Sequence, residues 1–166
     1  SLFDALRLLS DFRRAQPRIE LAIETEPNAL ARLTQLHVDA AIFVGNAPPD
    51  ELIGRQLMRL QLRWFATSTP RRAASPDECD FVVWTLAGSA ELDEAWQRTC
   101  LRQLTSKPRI ALRADTHHDA LSAVRAGLGV ALLNEAHAQG LRRVPFIESS
   151  AKFGIWLLTH PDLRRS

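Results

Sequence analysis

Residues 116–134, THHDALSAVRAGLGVALLN, read as a helix, a glycine stop and a buried strand with hardly a residue between them. Thr116 is placed to cap the helix start with its hydroxyl. Ala120, Leu121 and Val124 recur at helical spacing, and Gly127 is free to take the left-handed conformation that ends helices. Residues 130–133 are apolar at every position rather than at alternate ones. That implies a strand covered on both faces, as in a parallel or mixed α/β sheet.

Working outward, Leu2, Phe3, Leu6, Leu9 and Phe12 give an apolar helix face that Leu8 widens and Pro17 ends. A helix apolar over more than one face needs two neighbours, here its own sheet and a partner subunit. Ile19, Leu21 and Ile23 alternate as a strand. Asn28 is placed to cap a second helix containing Leu30, Leu33 and Leu36, and residues 38–44 read as a buried strand. Pro48 and Pro49 mark a turn, residues 53–67 one or two extended strands, and residues 71–80, with Pro76, a surface connection. Residues 81–86 read as a strand, with Ser89 capping a helix through Leu92, Ala95, Trp96 and Leu101. A short strand follows at 109–113. Beyond the opening segment, a short helix around 135–138 ends at Gly140, and 153–158 forms a final strand.

At 166 residues and 46% hydrophobic content, the chain has enough apolar surface for one domain or two small lobes. A net charge of +2 is too small to mark a nucleic-acid surface. Lys107 and Lys152 are the only lysines, and the arginine pairs 13/14, 71/72, 142/143 and 164/165 are scattered along the chain. No stretch approaches the ~20 apolar residues of a membrane span, so a cytoplasmic protein without membrane contact is expected. Cys79 and Cys100 are too few and too loosely placed for a disulfide framework, which suits a reducing compartment.

Signals for catalysis are weak. His117, His118 and Asp119 are adjacent, but neighbours on a helix diverge by about 100°, whereas ligand pairs need a spacing of three or four. His37, His137 and His160 fall in other elements, so neither a metal site nor a cofactor is expected. No nucleophile elbow appears, and Gly127-Leu128-Gly129 follows its helix where a phosphate loop would precede one. Trp84, Trp96 and Trp156 read as core or hinge packing, and Trp64 as the tryptophan nearest a cleft.

The positive argument is architectural. In open α/β sheets ligands gather outside the carboxyl ends of strands, where helix N-termini present free N–H groups. Here those edges carry Ser1, Thr25 and Glu26, Phe43 and Gly45, Ala87, Gly88 and Ser89, and Thr116 and His117. Short hydroxyls and helix N-termini favour a small carboxylate or other anion, which Glu26 would oppose if it pointed inward.

Several segments carry a family resemblance. LFDALRLLSDFRRAQPRIEL is similar to the first helix and following strand of LysR-type regulators, HVDAAIFVG to their Asp-x-Ala-Ile strand, AVRAGLGVALL to their Val-x-x-Gly-Leu-Gly-Ile-x-Leu segment, and GIWLLTHPDLRRS to their terminal strand. The resemblance covers essentially all 166 residues. It implies a two-lobed α/β domain of the type II periplasmic-binding-protein kind, with mixed sheets flanked by helices and the family's first strand missing. The lobes would be residues 1–55 with 149–166, and 56–148. A small-molecule effector would lie between them, and the chain would pass the change to an N-terminal winged helix-turn-helix outside this sequence, through which alone DNA is bound. The resemblance also implies a homodimer, and a tetramer in the full-length protein, with Leu2, Leu6, Leu9 and Arg13 of one subunit against Leu121 and Val124 of the other. Rival readings are a solute-binding protein of a transporter and an enzyme on the same scaffold.

Overall fold

The structure is a computed structural model that describes residues 2–24, 28–67, 75–85, 93–148 and 150–165. In chain order these form α1 (Leu2–Ala15), α2 (Ala29–Thr34), β1 (Ala41–Gly45), β2 (Ile53–Ala66), β3 (Asp80–Trp84), α3 (Glu94–Leu104), β4 (Arg109–Ala114), α4 (His117–Arg125), β5 (Ala131–Asn134), β6 (Arg142–Arg143) and β7 (Ala151–Thr159).

The 14-residue β2 organises the rest. From Ile53 to Leu62 it pairs antiparallel with β7, which also pairs antiparallel with β1; from Leu62 onward its partners are β5 and then β6. The hand-off falls at Leu62, which faces Ala151 on one side and Asn134 on the other. Two hydrophobic clusters lie along this strand. Leu33, Ala41, Leu52 and Leu158 form the smaller, and Leu62, Trp64, Phe81, Val124 and Leu133 belong to the larger.

In the second half, β3 and β4 run parallel, joined by α3 across the sheet. Val130 adds to the other side of β3 in parallel with Phe81, its N–H donating to Asp80 O and its O accepting from Val82 N–H, both at 2.8 Å. Beyond that bridge β5 turns to pair with β2. All four β5 residues are buried, Ala131, Leu132 and Leu133 as an uninterrupted apolar run requires and Asn134 as a buried polar residue.

The αβ unit is built as its sequence implies. Thr116 caps α4, accepting from Asp119 N–H at 3.1 Å while its own hydroxyl donates to Asp119 Oδ2 at 2.6 Å. At the far end Gly127 N–H donates to Val124 O and Leu128 N–H to Ala123 O, the paired closure of a Schellman motif with Gly127 at φ +84°.

Several expectations need correction. Among the described residues Ile19, Leu21 and Ile23 join no ladder, and Ile23 is 63% exposed; alternation equips a segment for a sheet, but a ladder also needs a partner, and there β1 pairs only with β7. Helix α2 ends at Thr34, and Leu36 lies beyond it at φ +58°. Asn28 precedes α2 without a side-chain cap bond. The strand read at 38–44 is β1, an edge strand whose Ile42 is 42% exposed, so it is not covered on both faces. The cap of α3 is Asp93, which accepts from Trp96 N–H at 2.7 Å; Ser89 and Leu92 fall outside the described residues. Leu121 and Val124, expected at a subunit interface, are 7% and 0% exposed. A nine-residue helix with one apolar stripe spends that stripe on its own core.

Candidate functional site

Two strand edges carry the described part of the expected site. On the first, Gly45 closes β1 and faces Gly154 of β7. The Trp156 indole lies across Gly154 and donates from Nε1 to Gly45 O at 3.0 Å. A Cβ on Gly154 would sit 2.3 Å from that nitrogen and 2.9 Å from Gln56 Nε2, so only glycine leaves the indole its place. Phe43, opposite Trp156, packs against the smaller cluster.

On the second edge Thr116 and His117 begin α4. Thr116 is exposed, whereas His117 turns inward, and its Nε2 accepts the Asn134 N–H at 3.1 Å. The ring meets Trp84 edge-on at 5.0 Å and His137 at 5.4 Å. Burial, with the His137 and His118 imidazoles adding to it, lowers the His117 pKa to about 4. His117 is therefore neutral near pH 7, with its proton on Nδ1 because Nε2 accepts. The two histidines were expected in unrelated elements. They meet because a strand that follows a helix runs back along it, returning the turn at Glu135–His137 to the helix start.

Both edges flank the same step of β2. Gly154 pairs with Arg59, and Asn134 with Leu62, so the two edges reach β2 three residues, or roughly 10 Å, apart. Side chains alternate along a strand, so Arg59, Gln61 and Arg63 share one face of it, and Lys152, opposite Gln61, joins them. The row is rich in donors, three cationic side chains and the Gln61 amide N–H groups. Arg63 pairs with Glu135 at 3.1 Å, while Gln61 Nε2 is buried with no partner among the described residues. A buried N–H without an acceptor costs about 1–3 kcal/mol, which a bound acceptor would offset. Alternation places Gln61 beside arginines, but only the strand pairing reveals Lys152 and the flanking edges.

Trp64, expected at the cleft, is instead a core residue, 4% exposed and edge-on to Phe81 at 5.6 Å. Ser1, Thr25, Glu26, Ala87, Gly88 and Ser89 lie outside the described residues. Burial raises both thiol pKa values, Arg109 partly opposing the effect at Cys79. Among the described residues no three His, Cys, Asp or Glu side chains are placed to share a metal, and no helix is long and apolar enough to cross a membrane.

A sheet crossing between two hydrophobic clusters, with a row of polar side chains and two strand edges beside it, defines a two-lobed α/β domain. The family model described as LysR substrate binding domain matches residues 5–166, and the chain belongs to that family, the effector-binding regulatory domain of LysR-type transcription regulators. No curated protein matches it. Solved structures do. The apo regulatory domain of HypT from Salmonella typhimurium is similar at a TM-score of 0.73 and 14% identity, over 97% of this chain and 89% of that one. The CcmR regulatory domain of Synechocystis PCC6803, in complex with 2-PG, is similar at 0.72 and 18%, over 96% and 82%. Full-length CbnR complexed with its target DNA is similar at 0.65 and 13%, over 95% of this chain and 59% of CbnR. The shared fold is the type II periplasmic-binding-protein kind.

Proposed function

We propose that the chain binds a small anionic metabolite at the crossing of β2 and β7, between a first lobe of residues 1–55 with 149–166 and a second of 56–148. The carrying observation is the buried Gln61 Nε2, without a partner among the described residues, in a row with Arg59, Arg63 and Lys152 flanked by both strand edges. The complex of CcmR with 2-PG supports an effector in a domain of this fold. The domain acts by binding rather than turnover, in the cytoplasm, and its effector state is passed to an N-terminal winged helix-turn-helix that contacts DNA. Thermal-shift screening of small carboxylates, followed by NMR, tests the site. A true effector should shift the Gln61 side-chain amide, the Gly45 amide and the Trp156 indole together. Gln61→Glu, which exchanges a donor for a negative oxygen, should weaken it about tenfold or more. Unchanged affinity would sink the assignment.

The same reading makes the chain a homodimer, and a tetramer at full length, through α1. Its Leu9 is only half-buried and Phe12 is 43% exposed, an apolar surface that one chain leaves uncovered. With Leu121 and Val124 committed to the core, the outward His118, Ser122 and Arg125 of α4 would face the partner's α1. Sedimentation at about 100 μM should give a dimer that Phe12→Asp converts to monomer, typical interfaces burying about 1,600 Å². A monomeric parent chain would refute the pairing.

A further inference from the structure

Where β5 leaves β3, the Trp84 N–H loses its strand partner, and Gln97 of α3 supplies one through Oε1 at 3.1 Å. The other end of that amide has none among the described residues. Gln97 is 7% exposed, and its Nε2 is buried with no acceptor among the described residues. Gln97 lines a groove of about 500 Å³ between α3 and the β3–β4 pair. The groove runs from Thr85 and Asp115, at the carboxyl ends of the strands, to Ser106 and Pro108 before β4, and none of the donor row on β2 lines it.

We infer that this groove is a second ligand site, for an amphiphilic carboxylate whose headgroup accepts from Gln97 Nε2 beside Arg102. The lining supplies both halves of such a ligand's chemistry. Leu101, Ile110 and Val83 offer apolar wall, whereas Arg98, Arg102 and Arg113 supply cationic groups beside Asp115, the carboxylate among the described lining residues. Arg98 and Arg102 stand four apart on α3, so their side chains occupy neighbouring places on one helix face. The volume falls within the roughly 300–1,000 Å³ of small-molecule pockets. A neutral ligand would make no use of the Arg102 charge. A compact inorganic anion would leave the apolar wall uncovered.

The probe is 4-phenylbutyrate, titrated into the 15N-labelled chain with its amide, 4-phenylbutyramide, as the uncharged control. The acid should move the Gln97 side-chain amide saturably and the amide should not. Gln97→Glu keeps an acceptor for Trp84 N–H but replaces the free donor, and Arg102→Gln changes an exposed residue that the fold does not need; each should weaken binding about tenfold. If Gln97→Glu fails to fold, Arg102→Gln decides alone. No saturable movement at Gln97 by about 10 mM acid, or equal binding of acid and amide, would overturn the inference. Movement at Gln61 and Gly45 but not at Gln97 would also overturn it, while leaving the effector site between the lobes supported.

Discussion

Gly129→Ala should lower the unfolding free energy by about 3 kcal/mol or more, whereas Gly127→Ala, two residues away, should lower it by about 1–2 kcal/mol. Both glycines have positive φ, +84° at Gly127 and +152° at Gly129, but their surroundings differ. Nothing lies within 4 Å of a Cβ built on Gly127, so alanine there pays only for the left-handed backbone. On Gly129 the Cβ would lie 2.3 Å from Asp80 O, a backbone atom that cannot swing aside. That same oxygen accepts from Val130 N–H, half of the two-bond bridge tying the β5 segment to β3. Relieving the clash therefore adds a lost buried hydrogen bond, about 1 kcal/mol or more, to a backbone conformation open essentially only to glycine. Urea unfolding of the two variants beside the parent measures the contrast. Equal losses would mean that backbone conformation alone, and not the close approach to Asp80, requires the second glycine.

That contrast shows how far this chain can be read without coordinates. The Thr116 cap, the Gly127 closure and the buried β5 follow from local chemistry, because caps, stops and apolar runs are set by residues a few positions apart. The identification with LysR regulators follows from the same segments taken in order. What the sequence conceals is pairing and commitment. Ile19, Leu21 and Ile23 alternate as any strand would, yet no ladder takes them up. Leu121 and Val124 are apolar whether they serve a core or an interface, and only burial separates the two uses. Trp64 carried no signal to distinguish cleft from core. Gln61 and Gln97 are ordinary letters, because a buried amide nitrogen without a partner among the described residues arises only from which neighbours the fold brings to it.

Acid should destabilise the protein through His117. Above the ordinary histidine value of 6.5 the residue is neutral in both folded and unfolded chains, and it contributes no pH dependence. Between 6.5 and about 4 the unfolded chain takes up a proton that the folded one refuses. The refusal comes first from burial and then from the neighbouring His137 and His118. Protonation would also convert Nε2 from the acceptor of the Asn134 N–H into a donor aimed at it. The native state thus loses ground as pH falls through this window, by about 3 kcal/mol at pH 4, with only a few tenths of a kcal/mol more from this residue below it. His117→Gln retains an acceptor for the Asn134 N–H and removes the titration. Unfolding free energies of parent and variant should therefore run parallel above pH 6.5 and diverge below it, the parent falling faster. Parallel curves down to pH 4 would mean that His117 is hydrated or rearranged in solution, and that the junction of α4 with β5 is held by something other than this imidazole.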